Sequence, residues 1–481
     1  MTRINTNISS MVAVRVLNTN NSALQTSLQR LSTGYRINSG KDDPAGLIAS
    51  ENLRAEQQAT STAISNAQRA DNIIGTAEGS LSEISNLLVS LQGLVGNAAN
   101  KAGLSQDEKD ANQLQVDSIL STINRISNAA SFEGVKLLNG GFDYNTSGLS
   151  TTSAFTNISI NSAKVGATTL AVTVSVLTSA QTGRLDSTLA STGIASATTL
   201  SIAGNLGTVQ LSFAKDTKAS AIAASINQFS NSTGVTASAT AANTTLSVLT
   251  SGYGTSQFVS VNSSSPTAVT TADSAGKAGS INYGGNAALT VNGTAATSDG
   301  LHVKIVSPNL DVDFTLNTAA NVASKTKTFG ITGGGATFSL GAQVNAANLA
   351  SLGIASVNTA SIGKTVSGGT VLTLSDLGAG KTAAVNTGDT TVAQQIVSQA
   401  VKDVAGMRGR LGAFQKNVLG ATINSLNVAL ENVSSSQSAI RDTDFATETA
   451  NLTRSQILSQ AATNVLAQAN AAPQSVLKLL G

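Results

Sequence analysis

Between Ala63 and Ala98, apolar residues recur at Ala63, Ala67, Ala70, Ile74, Ala77, Leu81, Ile84, Leu88, Leu91, Val95 and Ala98, in steps that alternate between three and four. That spacing is a heptad seam, one narrow apolar stripe held toward a partner helix along the whole segment. No proline interrupts it, and a helix with such a stripe cannot bury it alone. Two other segments carry the same period. One lies close by, at Val116, Ile119, Ile123, Ile126 and Ala130. The other lies far along the chain, at Val397, Ala400, Val404, Met407, Leu411, Phe414, Val418 and Ala421, followed by a second register at Leu419, Ile423, Leu426, Leu430 and Val433. The two ends of the chain are therefore built to pack on each other, with everything between them inserted. Periodicity alone also fits an ordinary helical bundle inside a globular protein.

Residues 4–31 read as a helix with Val14, Leu17, Leu24, Leu28 and Leu31 on one stripe. Alone in water a helix of that length is marginal, so it calls for a partner. Gly34 ends it, and Asp43-Pro44 starts the long heptad helix, which is expected to run to about Asn100. Ser105, with Glu108 three residues on, is a capping box that opens a third helix to about Ala130. The stretch from Val135 to Tyr144 reads as two short strands about an Asn139-Gly140 turn. From about Thr146 to Thr390 the chain breaks into short alternating runs of Val, Ile, Leu and Thr, which predict an all-β region with one helix over residues 219–229. Helical period returns over residues 391–434. Polar breaks are expected at Ser434–Ser436 and again at Arg441–Asp444. The last helix carries a seam at Leu458, Ala462, Val465, Ala469, Ala472, Val476 and Leu479, with a kink expected at Pro473.

The pattern predicts an α+β protein: a long helical coiled-coil or bundle core formed by the N- and C-terminal regions, with mainly-β outer domains inserted. Residues 1–40 and 445–481 form the terminal coiled-coil inner domain, 41–146 with 390–444 the helical core with its β-hairpin, and 147–389 the β-rich outer domains. The helical core seam is Ile74, Leu81, Ile84, Leu88 and Leu91 on one side, with Val404, Met407, Leu411 and Phe414 on the other.

Composition narrows the function. Aromatics are 3% and tryptophan is absent, so the cores are built from Leu, Ile, Val and Ala. Charged residues are 11%, well under the roughly 25% of an ordinary soluble domain, and Ser, Thr, Asn and Gly take their place. A net charge of +2 is too small and dispersed for a nucleic-acid or anionic-membrane partner. With no cysteine and one histidine, His302, neither a thiolate metal site nor a two-histidine motif can be built. His302 reads as a side chain on an extended strand. No cofactor is expected, and the chain does not read as an enzyme. The first ten residues are polar where a signal peptide needs an apolar run, and no segment is long enough to span a bilayer. Sequence rules alone therefore place the protein in the cytoplasm.

Several motifs change that reading. Arg3-Ile-Asn-Thr-Asn7, the run from Leu31 through Gly34-Tyr-Arg-Ile-Asn-Ser-Gly-Lys-Asp-Asp-Pro-Ala-Gly46, and Phe132-Glu-Gly-Val-Lys-Leu-Leu-Asn-Gly140 closely resemble the N-terminal region of bacterial flagellins. Met407 to Asn417, Ile440-Arg-Asp-Thr-Asp-Phe445, Leu452-Thr-Arg-Ser-Gln-Ile457, Val465-Leu-Ala-Gln-Ala-Asn470 and Val476-Leu-Lys-Leu-Leu-Gly481 resemble the C-terminal region. Residues 196–264 contain a stretch similar to the flagellin IN repeat, and residues 335–345 resemble a segment leading back to the core.

The resemblance implies a structural subunit that self-assembles through its terminal helices into the helical filament used for swimming. It implies an extracellular protein, exported unfolded through the flagellar export apparatus without a cleaved signal peptide. Its partners would be other copies of itself, the filament cap, hook-associated proteins, the export apparatus and an export chaperone. Self-assembly contacts are expected at Ile8, Val14, Leu17, Leu24, Leu28, Leu31, Leu458, Val465, Val476 and Leu480. In flagellins sensed by an innate receptor, the family pattern places Gln-Arg at the positions matching Val89-Ser90 and a Glu at Gly93. A Leu matches at Leu94, and a further arginine at Arg125. This chain keeps only Leu94 and Arg125. The rival readings are another flagellar axial protein of the hook–filament junction type and a glycan-binding adhesin; the large β insertion and the C-terminal match favour flagellin, and the shortage of aromatics speaks against a sugar site.

Overall fold

The computed structural model describes residues 6–480 apart from 101–102, 149–153, 166–168, 241, 243, 266–267, 274–275, 308 and 368–369, with side chains in the last helix as far as Ala471. The helices are α1 (Ile8–Thr33), α2 (Pro44–Ala98), α3 (Gln106–Ala129), α4 (Ala219–Asn227), α5 (Ser230–Thr233), α6 (Thr390–Ala413), α7 (Ala421–Arg441) and α8 (Phe445–Leu480). The chain divides into two compact units. One holds α1, the first half of α2, residues 338–349, α7 and α8; the other holds the rest.

Local chemistry sets the helix ends. Asn7 caps α1 by accepting from Ser10 N–H at 3.1 Å, so the helix starts at Ile8, and Ile4 lies outside the described residues. Gly34 closes it in the left-handed region (φ 75°), a conformation that costs a residue with a Cβ. The Ser105–Glu108 capping box opens α3 as expected. Asp444 caps α8 through Ala446 N–H at 2.9 Å and Thr447 Oγ1 at 2.6 Å. The break expected at Ser434–Ser436 is absent. Instead α7 runs through it, with the Ser436 hydroxyl donating to Asn432 O on its own helix at 2.8 Å. Likewise α8 continues past Pro473 to Leu480.

The two registers read in the C-terminal stripe are joined by a π-helical segment, Phe414–Gly420. Its wider turn takes up the extra residue and rotates the apolar stripe. Leu419 is consequently buried, whereas Phe414 and Val418 are only half-buried.

In the second unit the stripes of α2 and α6 are buried at Ile74, Leu81, Ile84, Leu88, Leu91, Val404, Met407 and Leu411. The buried line of α3 is Gln113, Val116, Leu120, Ile123 and Ser127, so Ile119 and Ile126, expected on the seam, sit at its half-buried edge. The hairpin after α3 also differs. Ser131–Phe132 pairs with Val135–Lys136 around Glu133 and Gly134, both at positive φ, as a two-residue hairpin turn requires. Asn139-Gly140 lies beyond it, with Asn139 Oδ1 accepting from Gly141 N–H at 3.0 Å. Leu137 and Leu138 are both buried, which the alternation of a strand cannot provide.

The β region holds two cores. In the first, a five-stranded antiparallel sheet with Leu170–Thr178 at its centre and a four-stranded sheet containing His302–Ser307 and Leu310–Leu316 share one apolar cluster. Phe155 meets Phe314 and Phe329 edge-to-face there, at 5.1 and 5.3 Å between centroids. In the second, two four-stranded sheets and α4 enclose Leu185, Leu200, Ile222, Ile226 and Val259.

The second core is inserted between two strands of the first, and its entry and exit touch: Gln181 and Gly285 exchange backbone hydrogen bonds at 2.8 and 2.9 Å. Excising residues 182–284 and joining the ends with a short glycine link should therefore leave the first core folded, its transition lowered by a few degrees at most for the loss of Tyr253, which packs against it, and leave polymerisation intact. A lost or strongly lowered transition by calorimetry would show that the cores are interdependent.

The β pattern stops at Leu352, earlier than the expected Thr390. Among the described residues, 353–389 carry a short hairpin (Thr365–Ser367 with Thr370–Leu372) and a helical turn (Leu374–Leu377). Otherwise they form an irregular strap fastened to α3. Gln113 Nε2 donates to Leu377 O at 2.8 Å, and Gln113 Oε1 accepts from Val385 N–H at 2.8 Å. Asn124 Oδ1 accepts from Thr359 N–H at 2.9 Å.

Candidate functional site

In the first unit, α1 packs on α8. Buried and half-buried positions recur on α1 at Ser10, Ala13, Leu17, Asn20, Leu24, Ser27 and Leu31, again in steps of three and four. The matching line on α8 is Glu448, Leu452, Ser455, Ser459, Ala462, Leu466 and Ala469. Small and hydroxyl side chains let the backbones approach, and polar groups across the seam find partners. Asn7 Nδ2 donates to Ala469 O at 2.8 Å, Ser10 Oγ to Asn470 Oδ1 at 2.7 Å, and Ser459 Oγ to Asn21 Oδ1 at 2.7 Å. At the other end Arg30 reaches the buried Glu448 carboxylate at 3.6 Å.

Of the expected self-assembly residues, Leu17, Leu24 and Leu31 lie in this seam as half-buried positions. Ile8, Val14, Leu28, Leu458 and Val465 point away from it, with Ile8 62% and Val465 56% exposed. The Val476 and Leu480 side chains lie outside the described residues. The exposed set does not stand alone: Met11, Val12, Val16 and Ile457 are also exposed. Ile8, Val12, Val16, Leu458, Ala461 and Val465 line a groove of about 490 Å³ along the pair. Sequence reading missed the seam residues Ala13, Ser27 and Glu448, because a search for large apolar side chains passes over small and polar positions; Ala462 and Ala469, read on the last helix's seam, do lie in it.

The core seam residues are buried as described, apart from the half-buried Phe414. Val89, Ser90 and Arg125 are exposed and Leu94 is half-buried; the Ser90 hydroxyl is turned back onto Asn86 O at 3.1 Å.

Titratable groups serve the fold. The Asp444 and Asp42 carboxyls are held below the usual range by hydrogen bonds, from Thr447 at the start of α8 and from the Ser39 and Asn38 amides of the turn before α2. Arg410, half-buried on α6, is shifted down by burial and supported by Asp311, Asp313, Asp143 and Asp403; it donates to Ser159 Oγ at 2.9 Å and to Asn161. His302 sits on a strand as expected, its Nε2 3.2 Å from Asp313 Oδ1, a contact that raises its pKa. Among the described residues there is no cluster of metal-ligating side chains, and no helix is long and apolar enough to cross a membrane.

Comparison with known proteins bears on the same segments. Residues 4–143 match the bacterial flagellin N-terminal helical region, residues 394–480 the bacterial flagellin C-terminal helical region, and residues 199–252 the flagellin hook IN motif. The chain is 31% identical to flagellin D of Vibrio anguillarum over 480 residues, covering 99% of each chain. It is 31% identical to a flagellin of Salmonella rubislaw over 517 aligned positions, again covering 99% of each. Among solved structures, FliC from Burkholderia pseudomallei aligns with 72% of this chain and 99% of its own at 17% identity, with a TM-score of 0.24.

Proposed function

The chain belongs to the bacterial flagellin family and is a structural subunit of the flagellar filament, and from that premise we propose that it polymerises through the outer faces of the α1–α8 pair. The supporting observation is the row of large apolar side chains that the pair leaves in water along one groove, Ile8, Val12, Val16, Leu458 and Val465. A row of that kind marks an interaction surface. Contacts between identical subunits that do not close on themselves generate an open helical filament. In this reading residues 1–40 with 445–481 are the terminal coiled coil that makes the contacts, 41–146 with 390–444 the helical core domain, and 147–389 the β-rich outer domains. The core seams of α2 and α6 hold each subunit together, while the terminal faces hold subunits to one another. Other copies, the filament cap, hook-associated proteins, the export apparatus and an export chaperone are the proposed partners, and the flagellum outside the cell is the proposed location, reached by flagellar export.

Replacing Val465 with Asp tests the reading. The side chain is already exposed, so the monomer should fold and melt as before. In a filament the charge would be buried without a partner, costing several kcal/mol. The critical concentration for seeded elongation should rise roughly a hundredfold or more. Unchanged elongation would remove the outer face of α8 from the contact.

Val89 and Ser90 support a second, smaller proposal: both are exposed on α2. A serine lacks both the reach and the planar fork of donors that the family's arginine offers an innate receptor. Loss of a central arginine costs about 2 kcal/mol, roughly thirtyfold in affinity. Monomer should therefore activate that receptor weakly in a reporter-cell titration, and Ser90→Arg should recover potency. A variant with no gain leaves contact with a neighbouring subunit as the reason for the change.

A further inference from the structure

The connectors flanking the terminal pair are tied to each other. Residues 34–43 join α1 to α2 and residues 442–444 join α7 to α8. Thr443 N–H donates to Gly34 O at 2.9 Å, Arg36 N–H donates to Arg441 O at 2.7 Å, and Tyr35 and Asp442 form an antiparallel bridge. The Arg36 side chain adds a bond to Ile440 O at 2.6 Å. Over this bridge the Arg441 guanidinium lies 4.7 Å from the centroid of the Tyr35 ring, with one end 3.1 Å from the Glu51 carboxylate. Its Nε is buried without a hydrogen-bond partner. The ring face is what offsets that lost solvation.

The apolar and small positions of the seam beyond the clasp carry little information about register. Ser10, Ala13 and Ser27 on α1 meet a line containing Ser455, Ser459 and Ala462 on α8. Because Leu17, Leu24 and Leu31 recur every seven residues, sliding one helix by a heptad keeps most of the leucines in the apolar line, at modest cost in buried area. Beside the polar contacts of the seam, Arg30–Glu448 and the hydrogen bonds nearer the termini, the clasp joins the end of α1 to the start of α8 and holds the register from outside the seam. With those ends already together, the entropy of closing the long intervening chain does not oppose pairing, which can extend from the clasp toward both termini.

We propose that Tyr35 and Arg441 are positioning residues for polymerisation, their clasp fixing the register of α1 against α8 and so the arrangement of the outer face. The role in polymerisation rests on the reading that the terminal pair is the polymerising element; the role in register does not.

The chain has no cysteine, so engineered pairs report register without background. Ser10→Cys with Asn470→Cys joins positions whose side chains touch, and Ser10→Cys with Thr463→Cys joins positions that meet only after a slip of one heptad. In the otherwise native full-length chain, oxidation should link the first pair and not the second. Adding Tyr35→Ala or Arg441→Met should erase that preference and raise the critical concentration for seeded elongation roughly tenfold, the equivalent of about 1.4 kcal/mol. Tyr35→Phe, which keeps the ring, should behave as native in both measurements. A melting transition unchanged in the second unit confirms that the variants fold. Retained pair preference in the Ala and Met variants would overturn the clasp as the source of register. Lost preference with native elongation would overturn the role in polymerisation, and with it the reading of the terminal pair, while leaving the register argument standing.

Discussion

A chain truncated before Ala446 is expected to stay a soluble monomer that never forms filaments, at any concentration or with any quantity of seed. The truncation removes the whole of α8 and with it every hydrogen bond across the terminal seam, from Asn7–Ala469 to Ser459–Asn21, and the Arg30–Glu448 pair. Left alone, α1 is a single helix of 26 residues with few charges, which is marginal in water. Ile8 and Val14 would then have no ordered surface on which to be displayed. The core of the second unit, buried along α2, α3 and α6, keeps its own stripes and should melt unchanged. Electron microscopy of the truncated protein under polymerising conditions checks the result. Long filaments would mean that the terminal pair is dispensable.

The second large effect is expected inside the subunit. Gln113 is 3% exposed, and its amide holds the strap at Leu377 O and Val385 N–H while also bonding Asp117 Oδ1 at 2.9 Å. Gln113→Ala would leave two buried backbone groups unpaired and open a void beside Leu374 and Leu377, both fully buried. Each unsatisfied group costs about 1–3 kcal/mol, so the second unit should lose roughly 3 kcal/mol or more. That loss would lower its calorimetric transition by about 4 °C for a unit of roughly 330 residues. A shift of under a degree would show that the strap is not held by this residue. The exposed Leu114 beside it is a suitable control, because Leu114→Ala removes nothing buried.

The sequence was most legible where large apolar side chains carry the heptad. The seams of α2 and α6 could be read residue by residue because Ile, Leu and Val at that spacing have no other use. The terminal pair was legible as a pair but not as a surface. Leu17, Leu24 and Leu31 do lie in its seam, but between them it is written in Ser, Ala and Asn, so other large residues, Leu458 and Val465 among them, were read as the seam and lie outside it. The strap was hidden for another reason. Its order comes from one buried amide and a few isolated leucines, which have no period. The hairpin after α3 shows two local signals competing: Asn139-Gly140 is the stronger turn dipeptide, yet Glu133-Gly134 takes the turn because Leu137 and Leu138 must both go into the core. In the β region the alternation identified strands well, but the sheet order and the insertion of one core into another depend on long-range pairings such as Gln181 with Gly285, which no local pattern encodes.

The account rests on the claim that subunits meet through the outer face of the α1–α8 pair. Seeded elongation of the purified full-length chain, followed by hydroxyl-radical footprinting of monomer and filament, tests it directly. The predicted result is that filaments grow and that Ile8, Val14, Leu458 and Val465 lose most of their reactivity on assembly, while Tyr283 and Val306, exposed on the β cores, keep theirs. Filaments in which those four residues remain as reactive as in the monomer would contradict it.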